Sequence, residues 1–303
     1  MKTAPIVIFT YNRPDHLRRT VEALKKNYLA RQSELIIFSD GPKEGEDPHA
    51  VDEVRHCIST IRGFRCIGGK TQSRNVGLAR SVIMGMTAIF KAYDRAIVLE
   101  DDLITAPDFL FFINMCLDAY KHDSRIFSVS GYTPNIDFSG YDKDIYLAPR
   151  TCSWGWGTWR DRWNKVDWEV KDFDSFIRSK QLRREFNCGG EDSSVMLLRQ
   201  MRGKIDSWAV RFYYSCFKNG GLCVYPTRSR VKNNGADGSG THFTRMTSKY
   251  DIPYELQKSP FSLPVSIHTD KDILKRFAAF YRPSIQRRGI NQFKLLLNRL
   301  KLL

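Results

Sequence analysis

The chain has 303 residues, 42% hydrophobic, 27% charged and 13% aromatic, with a net charge of +15. That composition is globular, not disordered, and no stretch approaches the ~20 apolar residues of a membrane-spanning helix. Seven cysteines, an odd number without a CxxC pair, argue against a disulfide framework and a zinc site, and mostly buried thiols in a reducing cytoplasm are expected.

The first hundred residues alternate in period. IVIF (residues 6–9) is a short apolar run ending at Thr10, Tyr11, Asn12 and Arg13. It lacks signal-peptide architecture. Pro14 suits a first helical turn, and Leu17, Val21 and Leu24 recur at helical spacing. ELIIFSDGP predicts a second strand ending at Asp40. Val51, Val54, Ile58 and Ile61 predict a second helix, FRCIGG a third strand, and Val76, Ala79, Ile83, Met86 and Phe90 a third helix. AIVL (residues 96–99) is the fourth strand. Strands alternating with helices predict a mainly parallel sheet with helices on both faces, and continuous apolar runs fit strands buried on both sides.

Polar residues follow these strands: TYNR, SDG, and then Glu100, Asp101 and Asp102. In open parallel sheets ligands sit beyond the carboxyl ends of the strands, so a binding crevice is expected there. Neither GxGxxG nor GxxxxGK[ST] occurs, so the two usual phosphate-cradling loops are missing. Three adjacent carboxylates repel one another, and a divalent cation, Mn2+ or Mg2+, is a physical reason to place them at a crevice. A solvated acidic turn is the plainer reading.

Beyond residue 125 the pattern changes. IFSVSGY and LCVYP predict strands. TCSWGWGTWRDRW is aromatic and glycine-rich, SSVMLLRQMRG predicts a helix after GGED, and RVKNNGADGSGTHF predicts a mobile loop. Trp154 and Trp156 suit stacking on an acceptor sugar or, equally, the buried core. After Asp272 no acid occurs. Eight Lys and Arg residues follow, with six leucines among the last of them. Such a tail suits an anionic membrane surface or an ordinary terminal helix packed on the body.

Taken in order, these motifs resemble a known family. EDDL with APDF resembles the metal-binding segment of the N-acetylglucosaminyltransferase I-like glycosyltransferases. PIVIFTYNRPDHLRRTVEAL resembles the opening βα unit of that family and of bacterial family 2 glycosyltransferases. SDGP, GLARSVIMGM and LCVYPTRSRVKNNGADGSGTH extend the resemblance over about residues 4–245. It implies the GT-A fold, a Rossmann-like, mainly parallel α/β sheet flanked by helices with an acceptor-side C-terminal half. Residues 1–125 would form the nucleotide-sugar half, 126–245 the acceptor-binding and catalytic half of the same domain, and 246–303 a basic extension.

Carried over by resemblance, Thr10, Tyr11 and Arg13 line the nucleotide pocket, Asp40 bonds the base, and Arg80 and Ser81 contact the nucleotide. Glu100 and Asp101 contact sugar and ribose. Asp102 ligates the metal, with His242 on the metal or diphosphate in a loop that closes over the donor. The catalytic base stays open between Asp206, which aligns with the family's base, and Glu191 or Asp192, which look like the xED helix start of family 2 enzymes.

The expected protein is a metal-dependent, inverting glycosyltransferase. It moves a sugar from a UDP-sugar to a glycan or lipid-linked glycan in bacterial surface polysaccharide or lipopolysaccharide synthesis. Golgi members of the family carry an N-terminal anchor, and this sequence starts on its first strand. A cytoplasmic enzyme is therefore expected, with peripheral contact at the membrane's cytoplasmic face through the tail. Two alternatives are a sugar nucleotidyltransferase, which needs a basic Gly-rich triphosphate loop, and a basic nucleic-acid-binding protein, which gives the acidic turn no role. Nucleic acid is not the expected partner.

Overall fold

A computed structural model describes residues 2–235, 248–253, 255–256, 258 and 260–299. The chain runs β1 (Ile6–Thr10), α1 (Pro14–Lys25), β2 (Glu34–Ser39), α2 (His49–Thr60), β3 (Cys66–Thr71), α3 (Leu78–Ala92), β4 (Arg95–Glu100), β5 (Leu103–Thr105) and α4 (Phe109–Ala119). It continues with β6 (Ile126–Ser130), β7 (Ile145–Ala148), β8 (Trp156–Trp159), α5 (Arg160–Trp163), α6 (Phe173–Arg178), α7 (Lys180–Phe186), α8 (Ser193–Met201) and α9 (Trp208–Lys218). β9 (Leu222–Pro226), β10 (Val231–Asn233), α10 (Lys271–Phe280) and α11 (Ile285–Arg299) complete the described elements.

Eight strands form one sheet in the order β3-β2-β1-β4-β8-β6-β9-β7. The first four are parallel, as the alternation of strands and helices predicts. β8 then runs antiparallel to both β4 and β6, β6 and β9 are parallel, and β7 closes the edge antiparallel to β9. The second half therefore extends the first half's sheet across the β4–β8 pairing. The apolar runs of β1 and β4 are buried between two helical layers. Leu17, Val21, Leu24, Ile113 and Leu117 pack on one face. Ala79, Val82, Met86, Trp208 and Phe212 pack on the other. At ~25 cal/mol per Å2 of apolar area, this two-sided burial is the main force holding the strands.

Several expectations shift. The third strand is Cys66–Thr71, displaced toward the sheet's carboxyl edge. The glycine-rich tryptophan segment contributes strand β8, and Val231–Asn233, read as loop, pairs with β5 as a separate ribbon. Trp156 is corrected. It is 1% exposed, stacked on Trp208 at 5.1 Å and flanked by Phe212 at 5.1 Å, so it is core and unavailable to an acceptor sugar. The basic tail docks on the body. Leu295 packs on the cluster containing Phe176 and Leu197, and Arg282 and Arg288 pair with Glu191. Four of the seven cysteines are buried, and Cys66 and Cys188 are exposed. Among the described residues no helix is long and apolar enough to cross a membrane.

Candidate active site

The register of the sheet builds the site. β1 and β4 pair so that Phe9 lies opposite Glu100, which puts Thr10 beside Asp101 just past the strand ends. Thr10 Oγ1 donates to Asp101 Oδ2 at 2.7 Å, and the Tyr11 N–H approaches the same oxygen at 3.4 Å. Arg13, one residue before α1, donates from Nη1 to Asp102 Oδ2 at 3.0 Å. The turn is held from behind by Thr20 of α1. Its Oγ1 donates to the Asp101 carbonyl at 2.7 Å and accepts from the Leu103 N–H at 3.2 Å.

The charge of the turn is only partly answered. Burial and the carboxylates beside it push Glu100 up to about 8. Burial first, and then Asp102, push Asp101 up to about 6, against the opposing bond from Thr10 and the charge of Arg13. Asp102 Oδ1 is buried with no hydrogen-bond partner among the described residues. Gly235 presses against this carboxylate: a Cβ there would lie 2.0 Å from Asp102 Oδ2. Unpaired buried oxygens are costly.

The donor set fits a hard cation. Oxygen ligands suit Mg2+ or Mn2+, which are commonly held by one or two carboxylates plus substrate phosphates and water. Among the described residues no group of three or more His, Cys, Asp or Glu side chains is arranged to hold a metal. A cation on Asp102 would therefore complete its shell from ligand and solvent. His242 lies outside the described residues.

The neighbouring strand ends contribute a second cluster. Asp40, after β2, is buried, and its carboxylate accepts from the N–H groups of Gly41, Val76 and Gly77 at 2.9–3.1 Å. It anchors the loop into α3. Asp206 comes from the segment before α9 and accepts the Ala79 N–H at 3.1 Å. Two carboxylates thus satisfy amides at the start of α3, where the helix dipole favours negative charge. Gly77 makes this possible. It adopts φ +84°, and its missing Cβ leaves 3.1 Å to Asp206 Oδ2. Ser81 is buried in α3 and Arg80 is exposed beside it.

The other candidate carboxylates are paired with arginines. Asp192, before α8, receives Arg150 through both oxygens, at 2.7 and 3.2 Å. Arg150 in turn lies 4.2 Å over the Tyr281 ring. Glu191 is engaged by Arg282 at 3.0 Å and Arg288 at 2.8 Å. Trp154 is half-buried, edge-on to Tyr132 at 4.6 Å and to Tyr250 at 5.4 Å. After β1, Tyr11 OH donates to Glu46 at 2.9 Å and Lys43 sits 5.7 Å over its ring.

Thr20, Arg150 and Gly235 were not singled out from sequence. Thr20 left one trace, a hydroxyl on the apolar stripe of Leu17, Val21 and Leu24. Gly235 showed only as the first glycine of the predicted mobile loop, and Arg150 left no trace, because their roles depend on strands and loops far apart in the chain.

The chain is similar to known proteins. A curated Arabidopsis thaliana protein, alpha-1,3-mannosyl-glycoprotein 2-beta-N-acetylglucosaminyltransferase, is 22% identical over 217 residues, or 64% of this chain and 49% of that protein. The chain thus spans about half the length of this relative. Crystal structures of S. aureus TarS, whole and as residues 1–349, align over 77% of this chain and 37% and 61% of theirs. They share 10% and 11% identity at TM-scores of 0.42, too distant to carry an argument. The GNT-I family model matches residues 1–194, which takes in the whole parallel half, the Glu100–Asp102 turn and the sheet out to β8. The match covers well over half of the chain, and the chain belongs to the GNT-I family.

Proposed function

We propose that the protein is a divalent-metal-dependent glycosyltransferase. It would transfer a sugar from a nucleoside diphosphate sugar, UDP-linked, to a hydroxyl of a glycan or lipid-linked glycan. The observation that carries this reading is the buried Oδ1 of Asp102, beside Arg13 and without a hydrogen-bond partner among the described residues. Family membership and the absence of any other phosphate-cradling loop in the sequence support it.

In this reading Asp102 holds Mn2+ or Mg2+, and Arg13 keeps its carboxylate oriented. Bound there, the cation supplies positive charge against the departing diphosphate. Glu100 and Asp101 face the sugar and ribose. Thr10, Tyr11, Asp40, Arg80 and Ser81 shape the nucleotide pocket, with Asp40 acting through the loop it anchors.

Asp206 is the preferred base. One of its oxygens takes the Ala79 N–H, and the other receives no hydrogen bond among the described residues. Asp192 gives both oxygens to Arg150, at 2.7 and 3.2 Å, so both already have a partner. Asp206 would take the proton of the attacking hydroxyl as the glycosidic bond inverts. Arg150, Asp192 and Trp154 then belong to the acceptor side, and Glu191 anchors the tail.

The finer setting is surface polysaccharide synthesis at the cytoplasmic face of the membrane. Ile285 at 84% and Ile290 at 47% exposure, beside Arg287, support a membrane contact by α11. Calorimetric titration with UDP, with and without Mn2+, tests the core reading. Binding that needs metal and disappears in Asp102→Asn is expected. Metal-independent binding of equal strength in that variant refutes it.

A further inference from the structure

A groove beside the carboxylate turn has no role in the donor site. β5 and β10 form its ribbon wall, with Lys232 opposite Ile104 and Asn233 opposite Leu103. The ribbon leaves the turn directly, since Leu103 follows Asp102 and the Asn234 N–H donates to the Asp102 carbonyl at 2.8 Å. α1 forms the facing wall, fixed to the same turn by Thr20. Between them and Ile252, Pro253, Glu255 and Leu256 lies a space of about 780 Å3, within the range of small-molecule sites.

Its floor is aliphatic: Ile104, Pro107, Ile252 and Leu256. Its rim carries Arg19, Lys26 and Lys232, all exposed. Among the described residues, no side-chain hydrogen bond or ion pair holds any of the three. Of the two acids on the rim, Glu22 is paired with Lys25 at 2.8 Å, leaving Glu255 against three cations.

We propose that this groove binds a lipid phosphate, the phosphate-bearing end of an amphipathic acceptor, and so delivers the acceptor to the edge of the donor site. The acceptor role rests on the glycosyltransferase reading; the binding does not. Charge complementarity selects the ligand. Three free cations attract an anion, while an aliphatic floor gains from hydrocarbon and gives nothing to a bare phosphate. A nucleic acid would want aromatic stacking platforms, and among the described residues the lining has no aromatic side chain.

The test is calorimetric titration of the full chain with dodecyl phosphate below its micellar concentration. Inorganic phosphate and dodecyl maltoside are the comparators. Dodecyl phosphate is expected to bind at least tenfold more tightly than either. The triple variant R19Q/K26Q/K232Q and, separately, Leu256→Asn are each expected to weaken it at least tenfold, with thermal melting confirming the fold. Losses under tenfold in both variants, or equal affinity for dodecyl maltoside, overturn the proposal. UDP titration with Mn2+ runs beside it and is expected to be unchanged in the triple variant. If UDP binds and dodecyl phosphate does not, the groove proposal alone fails. If wild-type UDP binding fails, the donor reading falls while the dodecyl phosphate result still judges the groove.

Discussion

Replacing Gly235 by alanine probes the carboxylate proposed to hold the metal, Asp102, without touching its charge. The added Cβ would lie 2.0 Å from Asp102 Oδ2, 2.8 Å from its Cγ and 3.0 Å from its Cβ. Ordinary carbon contacts sit near ~3.5 Å, so the carboxyl or the loop must move by more than about 1 Å. The Asp102 side chain is the softer partner, and moving it strains its 3.0 Å bond to Arg13. A displacement of about 1 Å in a positioned group costs ~10²-fold, equivalent to about 2.7 kcal/mol. Overpacking of this kind costs stability ~1–3 kcal/mol. The assay is UDP titration with saturating Mn2+, paired with thermal melting. A roughly hundredfold loss of metal-dependent affinity in a folded variant is expected. A folded Gly235→Ala protein with wild-type affinity would show that Asp102 does not hold the cation.

Asp206→Asn should lower kcat by ~10²–10⁴ with little change in donor KM, the scale of a lost general base. Asp192→Asn should keep most of its turnover but lose about 2 kcal/mol of stability, since it leaves Arg150 unpaired at a site only 29% exposed at the acid; turnover abolished at unchanged stability would move the base to Asp192. Without metal, melting temperature should fall as pH rises from about 5 to 8. Folded Glu100 holds its proton up to about 8 because of burial and its acidic neighbours, while an unfolded glutamate releases it near ~4.3. The folded state therefore binds more protons across that window, and its stability drops with pH. Glu100→Gln should flatten the slope and excess Mn2+ should reduce it, whereas a slope indifferent to both would contradict this account. The double variant I285S/I290S should reduce flotation with anionic vesicles, and unchanged flotation would remove α11 from the membrane.

The parallel half of the sheet was legible because its signals are local. Residues 6–9 and 96–99 are unbroken apolar runs, which only strands buried on both faces need, and helical spacing appears between them. β8 was not legible. Gly155 and Gly157 give the segment a loop-like composition, yet Gly157 takes a sheet position because Ile113, 2.8 Å from where its Cβ would be, leaves no room for one. The ambiguity of Trp156 has the same origin. A tryptophan between glycines suits a sugar platform as well as a core, and the decision came from Trp208 and Phe212, some fifty residues downstream.

The same division runs through the site. Sequence alone determined that a carboxylate turn ends a buried strand, since three adjacent acids after four apolar residues are a one-dimensional pattern. Its resemblance to known motifs supplied the chemistry. Tertiary structure decided which carboxylates are already engaged: Asp192 by Arg150, Glu191 by the tail, Asp40 by the amides before α3. It also decided that Asp102 keeps one buried oxygen without a hydrogen-bond partner among the described residues. A carboxylate's availability depends on donors brought to within 3 Å by folding, and those donors come from segments up to 127 residues away, as between Ala79 and Asp206.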